Sequence, residues 1–149
     1  MARVRGCDFP EDRYYHADYN VWLKDSESGT VVLGATAYGA ALAVEFLAFL
    51  PKADGTVVET GRAVGLLELA KTVVSVRTPL GGTIVASNSG VVKRPDMINA
   101  DPYGAGWLVK LRVAGGPENA AGIVSGGAIA AAFEEAMRLD NFEGVQADR

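Results

Sequence analysis

The amino-acid sequence predicts a mainly β fold: a flattened sandwich or barrel of short strands, with one short helix and a C-terminal helix. Three observations predict it. From Pro51 to Val92, short apolar runs are broken by Gly, Pro and Asn, the rhythm of a β-sandwich. A repeat frames the middle of the chain: Gly55-Thr56-Val57-Val58 is followed by Gly61 and Val64, and Gly82-Thr83-Ile84-Val85 by Asn88, Gly90 and Val91. The two copies bracket Ala63 to Thr78, as two similar units joined through a central hairpin would. At the C-terminus, Ile129, Phe133, Ala136 and Met137 fall on one helical face, while Glu134, Glu135 and Arg138 fall elsewhere, so that face should dock on the sandwich.

The elements follow in order. Tyr14 to Leu23 alternates bulky and polar residues and reads as a strand, as does Thr30 to Leu33. Ala35 to Leu42, rich in small residues, suits two turns of helix. Val44 to Leu50 is a dense apolar run that reads as a buried strand, stopped by Pro51 and the turn-like Lys52-Ala53-Asp54-Gly55. Residues 63 to 78 read as two strands rich in Val and Leu that turn at Ala70-Lys71. Trp107 to Val113 alternates again, and a Gly/Pro-rich loop runs from Ala114 to Gly122. Ser125 is placed to cap the last helix, and the residues from Asp140 are expected to fray. The 149 residues match one domain, 1–149, with a C-terminal helical extension from about residue 123. That length buries a core without disulfide or metal staples.

Composition excludes several classes. The net charge is −4, with acids and bases mixed and no basic run longer than two residues, so no footprint for nucleic acid or an anionic membrane appears. No apolar stretch approaches the roughly 20 residues that span a bilayer. Met-Ala-Arg-Val-Arg-Gly-Cys lacks an apolar run behind its charges, so a cytoplasmic location is expected. Cys7 is the only cysteine, so it has no internal partner and makes no cysteine metal site. His16 is the only histidine; a Ser-His-Asp or Cys-His machine would need it as base, whereas it reads as a half-buried strand residue. No catalytic residue and no metal ligand is expected.

Lys71 at the turn has an ordinary explanation, since lysines are soluble and blunt exposed edges. Its surroundings carry more. Glu68-Leu69-Ala70-Lys71 resembles the Glu-x-x-Lys lipoylation motif of glycine cleavage H proteins, with Gly55 sixteen residues before the lysine, Pro79 eight after and Gly82 eleven after. Pro95-Asp96-Met97-Ile98-Asn99-Ala100-Asp101-Pro102-Tyr103-Gly104-Ala105-Gly106-Trp107-Leu108-Val109-Lys110 matches that family's C-terminal signature almost residue for residue. Gly34 to Leu42, and Leu50-Pro51 before Gly55, fit its helix and following strand. The resemblance covers roughly residues 10 to 112. Biotin carriers present Met-Lys-Met, and lipoyl domains of 2-oxoacid dehydrogenases usually Asp-Lys-Ala; here Ala70 and Thr72 flank the lysine.

The resemblance implies a barrel-sandwich hybrid of the lipoyl/biotinyl type and a carrier rather than an enzyme. It implies lipoic acid bound covalently to Lys71. A lipoate attachment enzyme would recognise the hairpin with help from Glu68, with Gly55 and Gly82 framing it. A lysine amine is protonated near neutral pH, so its role would be an anchor, and the dithiolane would supply the chemistry.

Two pathways are open, beside a non-lipoylated structural homologue. Glycine cleavage would bring glycine decarboxylase, aminomethyltransferase and dihydrolipoamide dehydrogenase as partners. Yet the family's Glu-His-Glu-Trp is replaced by His16-Ala17-Asp18-Tyr19, and its Leu-Gly-Asp by Leu42-Ala43-Val44. Val4-Arg5-Gly6-Cys7-Asp8-Phe9-Pro10-Glu11-Asp12-Arg13-Tyr14-Tyr15 resembles the opening of lipoate-binding proteins that serve the heterodisulfide-reductase-like complex of sulfur oxidisers. The extension beyond Val113 fits that group too. On that resemblance the dithiol carries sulfur from a donor and the complex re-oxidises it, and this pathway is the one expected. Cys7 would then invite a relay role, against its simpler use as a small buried filler beside Phe9-Pro10.

Overall fold

The computed structural model describes residues 1–145. In chain order the elements are β1 (Ala2–Val4), β2 (Cys7–Phe9), β3 (Tyr14–His16), β4 (Val21–Asp25), β5 (Thr30–Ala35), α1 (Ala37–Ala43), β6 (Ala48–Pro51) and β7 (Val57–Val58). Then come β8 (Ala63–Glu68), β9 (Val73–Arg77), β10 (Gly82–Ser87), α2 (Ser89–Lys93), α3 (Met97–Ala100), β11 (Val109–Arg112), β12 (Ile123–Val124) and α4 (Ile129–Leu139). A seven-stranded antiparallel sheet runs β12-β3-β4-β5-β11-β10-β7, a three-stranded one β6-β8-β9, and β1 pairs with β2. The mainly β expectation, with a short helix and a C-terminal helix, holds.

The two repeats pair with each other. Gly82 lies opposite Val58 and Thr83 opposite Val57; Gly55 N–H donates to the Ile84 carbonyl at 2.7 Å and Ile84 N–H to that of Thr56 at 2.9 Å. Gly82 has no room for a side chain, since a Cβ there would run into the Arg112 carbonyl. Gly55 instead turns the chain with φ +90°.

Two apolar cores form on opposite faces of the large sheet. Val21, Leu23, Leu33, Phe49, Leu67, Ile84 and Leu111 belong to the first, between the large and small sheets. Phe9, Tyr15, Trp22, Tyr38, Phe133 and Met137 belong to the second, where the β1–β2 hairpin and α4 cover the outer face. The expected docking face of α4 is therefore correct: Ile129, Phe133 and Met137 are fully buried. Phe133 stacks on Phe9 at 4.2 Å and meets Tyr15 edge-on at 5.8 Å.

Four local expectations are corrected. Tyr14 to Leu23 is a hairpin, not one strand: Asn20 takes φ +54°, and its N–H donates to the Ala17 carbonyl at 3.3 Å. Val44 to Leu50 is not a continuous buried strand. Phe46 and Phe49 point inward, whereas Val44, Leu47 and Leu50 are exposed, because this edge is covered on one side only. Ser125 makes no side-chain cap; a 3-10 turn at Gly126–Ala128 leads into α4, preceded by β12 pairing with β3. The segment from Asp140 is tied down as far as it is described. Asp140 accepts from Tyr38 Oη at 2.5 Å, Phe142 packs in the second core, and Val145 N–H donates to the Arg5 carbonyl at 3.0 Å. The remainder of that expectation lies outside the described residues.

Removing the Phe133 ring empties the centre of the second core. Phe133→Ala should cost about 3–5 kcal/mol, read as a lower urea midpoint with the far-ultraviolet spectrum retained in native buffer.

Candidate functional site

Strands β8 and β9 form a hairpin in register from Gly65↔Val76 to Glu68↔Val73, with a bulge between Gly65 and the Ala63↔Arg77 pair at its base. Its turn closes with Leu69 N–H donating to the Thr72 carbonyl at 2.8 Å, leaving Ala70 and Lys71 at the tip. Alternation explains the geometry: Leu67 and Val76 face the core, Leu69 packs against its margin, and Lys71 is exposed. The lysine thus stands two residues beyond the last anchored side chain. Among the described residues no carboxylate lies within ion-pair distance of it. An unengaged, outward amine on a rigid base fits covalent acylation by a carboxylic acid such as lipoic acid.

Glu68 is exposed on β8, three residues before the lysine; its carbonyl accepts from Leu47 N–H at 2.8 Å, while its carboxylate makes no ion pair with Lys71. Gly55 and Gly82 do not join the tip. They sit toward the hairpin's base, which lies about 17 Å along the strands from Glu68 and Val73. Their framing is a matter of backbone, as the turn at Gly55 and the crowding at Gly82 require.

Beside the hairpin lies a cleft of about 310 Å³ that sequence reasoning missed as a site. Leu67, Leu69 and Val74 to Val76 form one wall, Gly39, Leu42 and Ala43 of α1 the opposite one, and Asp18, Tyr19 and Asn20 the rim. The segments that depart from the family pattern, near residues 16–19 and 42–44, meet here. That coincidence was the available signal, but no periodicity links segments some 25 residues apart.

His16 supports the rim from below. It is buried rather than half-buried, its ring stacks on Tyr19 at 3.8 Å, and Nδ1 accepts from Tyr19 N–H at 3.2 Å. The Arg77 guanidinium lies 4.2 Å from the Tyr19 ring, a cation–π contact that ties the rim to the hairpin. Burial holds the His16 imidazole below its ordinary value, against Asp18, which raises it, and with Arg77, which lowers it. Cys7 lies elsewhere, buried in the second core. Burial and the Asp8 carboxylate push its thiol up to about 11, against a lowering by Arg3, which suits a filler and not a relay. Among the described residues no group of His, Cys, Asp and Glu side chains could hold a metal ion. No helix of the described residues is long and apolar enough to cross a membrane.

The family model for the glycine cleavage H-protein matches residues 13–136. The chain belongs to that family. It is 39% identical over 114 residues to glycine cleavage system H protein 2 of Aquifex aeolicus, covering 76% of this chain and 71% of that one. It is 35% identical over 151 residues to probable glycine cleavage system H protein 2 of Sulfurisphaera tokodaii, covering 100% and 99%. The crystal structure of a glycine cleavage system H protein from Mycobacterium marinum superposes with a TM-score of 0.72 at 25% identity, covering 89% of this chain and 99% of that one. Members of the family are carriers, not catalysts, and hold lipoic acid covalently on a lysine.

His16 makes stability depend on pH. Below the ordinary imidazole value of 6.5, the unfolded chain takes up a proton that the folded chain still refuses. The contribution is therefore full above that value and is lost as pH falls toward the lower folded one. His16→Asn, which keeps a neutral acceptor, should flatten the slope of urea midpoint against pH between about 7 and 5.

Proposed function

We propose that Lys71 carries the lipoyl group and that the loaded arm serves glycine cleavage, with 1–149 as one carrier domain working in the cytoplasm. The observation that carries this reading is the placement of a lysine, without an ion pair among the described residues, at the tip of an anchored hairpin whose strands and Leu69 line an apolar cleft. Amide formation with lipoic acid removes the lysine charge and leaves a long flexible tether ending in a dithiolane. The dithiolane brings redox and sulfur chemistry that no side chain here offers. Tethering keeps the cargo at high effective concentration for each partner in turn. Between visits the cleft is positioned to shelter the cargo against the protein's own surface.

The partners on this reading are a lipoate attachment enzyme, glycine decarboxylase, aminomethyltransferase and dihydrolipoamide dehydrogenase. The names of the relatives support that choice over the sulfur pathway expected from the N-terminal resemblance.

A second reading keeps the same arm and changes its clients to a sulfur donor and a heterodisulfide-reductase-like complex. One observation favours it. The two segments that resemble that group, the N-terminus and the C-terminal extension, are built into one unit: the Arg5 guanidinium donates to Glu134 at 2.6 Å and to the Phe142 carbonyl at 2.5 Å.

Two experiments test these readings. Protein made with a matching attachment system should gain one lipoyl mass, Lys71→Arg none, and Glu68→Gln should be modified more slowly at limiting enzyme; modification persisting in Lys71→Arg would sink the site. In the second, the lipoylated protein should support glycine-dependent carbon dioxide release with purified decarboxylase at a rate near that of an authentic H protein. Negligible release, with loading by a sulfur donor and re-oxidation by the complex, would replace glycine cleavage by the sulfur reading.

A further inference from the structure

We infer that the Asn99–Tyr103 part of the C-terminal signature is a splint for helix α1, and that Asn99 is a positioning residue for the cleft wall. The inference rests on the reading that the Lys71 arm shelters in that cleft.

Helix α1 has seven residues, too few to hold its own shape in water. Both of its ends are gripped by one distant segment. At the start, Ala37 N–H donates to Tyr103 Oη at 2.9 Å, and that hydroxyl donates onward to the Asp8 carbonyl at 2.6 Å. At the finish, Asn99 Nδ2 donates to the Val44 carbonyl at 3.0 Å and reaches that of Ala40 at 3.5 Å. The Val44 carbonyl lies past the helix end, where carbonyls lack an intrahelical partner, while that of Ala40 already accepts from Val44 N–H at 3.1 Å, so Asn99 clasps the residue that closes the helix.

Two further features single out Asn99. Its Oδ1 is buried and has no partner. Flipping the amide would turn that oxygen toward two carbonyl oxygens, so the orientation is dictated by the carbonyls it serves. The residue it holds is strained: Val44 takes φ +65° and ψ −56°, and Glu45 N–H donates across it to the Ala43 carbonyl at 2.7 Å. This is a γ-turn of the unfavourable hand, built on a β-branched residue. Val44 is 80% exposed, so burial does not compensate the strain; such a backbone persists only where its surroundings over-determine it.

The consequence reaches the cleft. Leu42, Ala43 and Phe46 line it on either side of the kink. With Asn99's amide removed, Val44 relaxes toward negative φ, the last turn of α1 loosens, and these three side chains leave their places. Asn99 thereby acts on the arm without touching it.

The test uses the full chain, lipoylated, as wild type, Asn99→Ala, Asn99→Asp (nearly the same shape, with no donor) and Asn99→Ala with Val44→Gly. Intact mass should show one lipoyl group on all four. Backbone amide exchange at residues 44–47 should rise about tenfold in both single variants, and reduction of the lipoyl disulfide by a water-soluble phosphine should accelerate severalfold toward the rate of free lipoamide. Val44→Gly, which makes positive φ easy, should restore much of both. A lowered melting temperature with unchanged exchange at 44–47 and unchanged reduction would reduce Asn99 to a stability residue and overturn the proposal. Rescue should also fail if the strain at Val44 plays no part, and that outcome would overturn the splint as drawn. A wild-type arm as reactive as free lipoamide would overturn the positioning role together with the sheltering cleft. Absence of the lipoyl mass would instead fault the Lys71 assignment.

Discussion

Strand β4 is buried on both faces, and the rest of the molecule is arranged around that constraint. Val21 and Leu23 enter the core between the sheets, while Trp22, between them in sequence, enters the other core. An indole on the outer face cannot be left to solvent without forfeiting roughly 1.5–3 kcal/mol of burial. It is enclosed with care: Gly34 opposite leaves space that a Cβ would fill with clash against the ring, Nε1–H donates to the Pro102 carbonyl at 3.1 Å, and the Arg13 guanidinium lies 4.6 Å from the ring. Elsewhere on the same face Phe9 of the β1–β2 hairpin and Phe133 of α4 pack edge-on against Tyr15 of β3, so the chain beyond Val113 completes this second core.

The opposite face of the same sheet carries the functional end. With its outer side covered, the large sheet is a firm support for β6, β8 and β9, and the hairpin is anchored as far as Leu69. A carrier benefits from that contrast: a rigid base makes the tip recognisable to each partner, and mobility is left to the arm. The segment from Asn99 to Trp107 contributes by tying elements together. Asn88 Nδ2 donates to the Ala105 and Trp107 carbonyls, both at 2.8 Å, and Arg13 to that of Tyr103 at 3.0 Å. A stretch that looks like a functional signature in one dimension is, in three, the point where the N-terminal strands, α1 and the large sheet are joined.

Much of this was legible because it is local or periodic. The Val/Leu strands about Lys71, the apolar face Ile129-Phe133-Met137 and the paired Gly-Thr-Val/Ile units each announce their structure within a few residues. The errors came where a short-range pattern had two solutions. Alternation from Tyr14 to Leu23 suits a strand or a tight hairpin, and Asn20 in the left-handed region decided for the hairpin. The apolar run from Val44 to Leu50 looked buried because hydrophobicity was counted and coverage could not be. Ser125 looked like a cap because its type fits, although the helix begins after a 3-10 turn.

By itself the sequence determined the fold class, the lysine at the hairpin tip and the face on which the last helix docks, since these depend on residue type and spacing along one element. Tertiary structure alone decided that residues 18–20, 42–43 and 74–76 meet around one cleft. It also decided that His16 and Arg77 brace the rim through Tyr19, and that Asn99 and Tyr103 hold the two ends of α1. The physical reason is the same throughout. Periodicity records which way a side chain faces within its own element, whereas a cleft or a splint depends on which elements become neighbours, and that follows from how two separate cores are packed on one sheet.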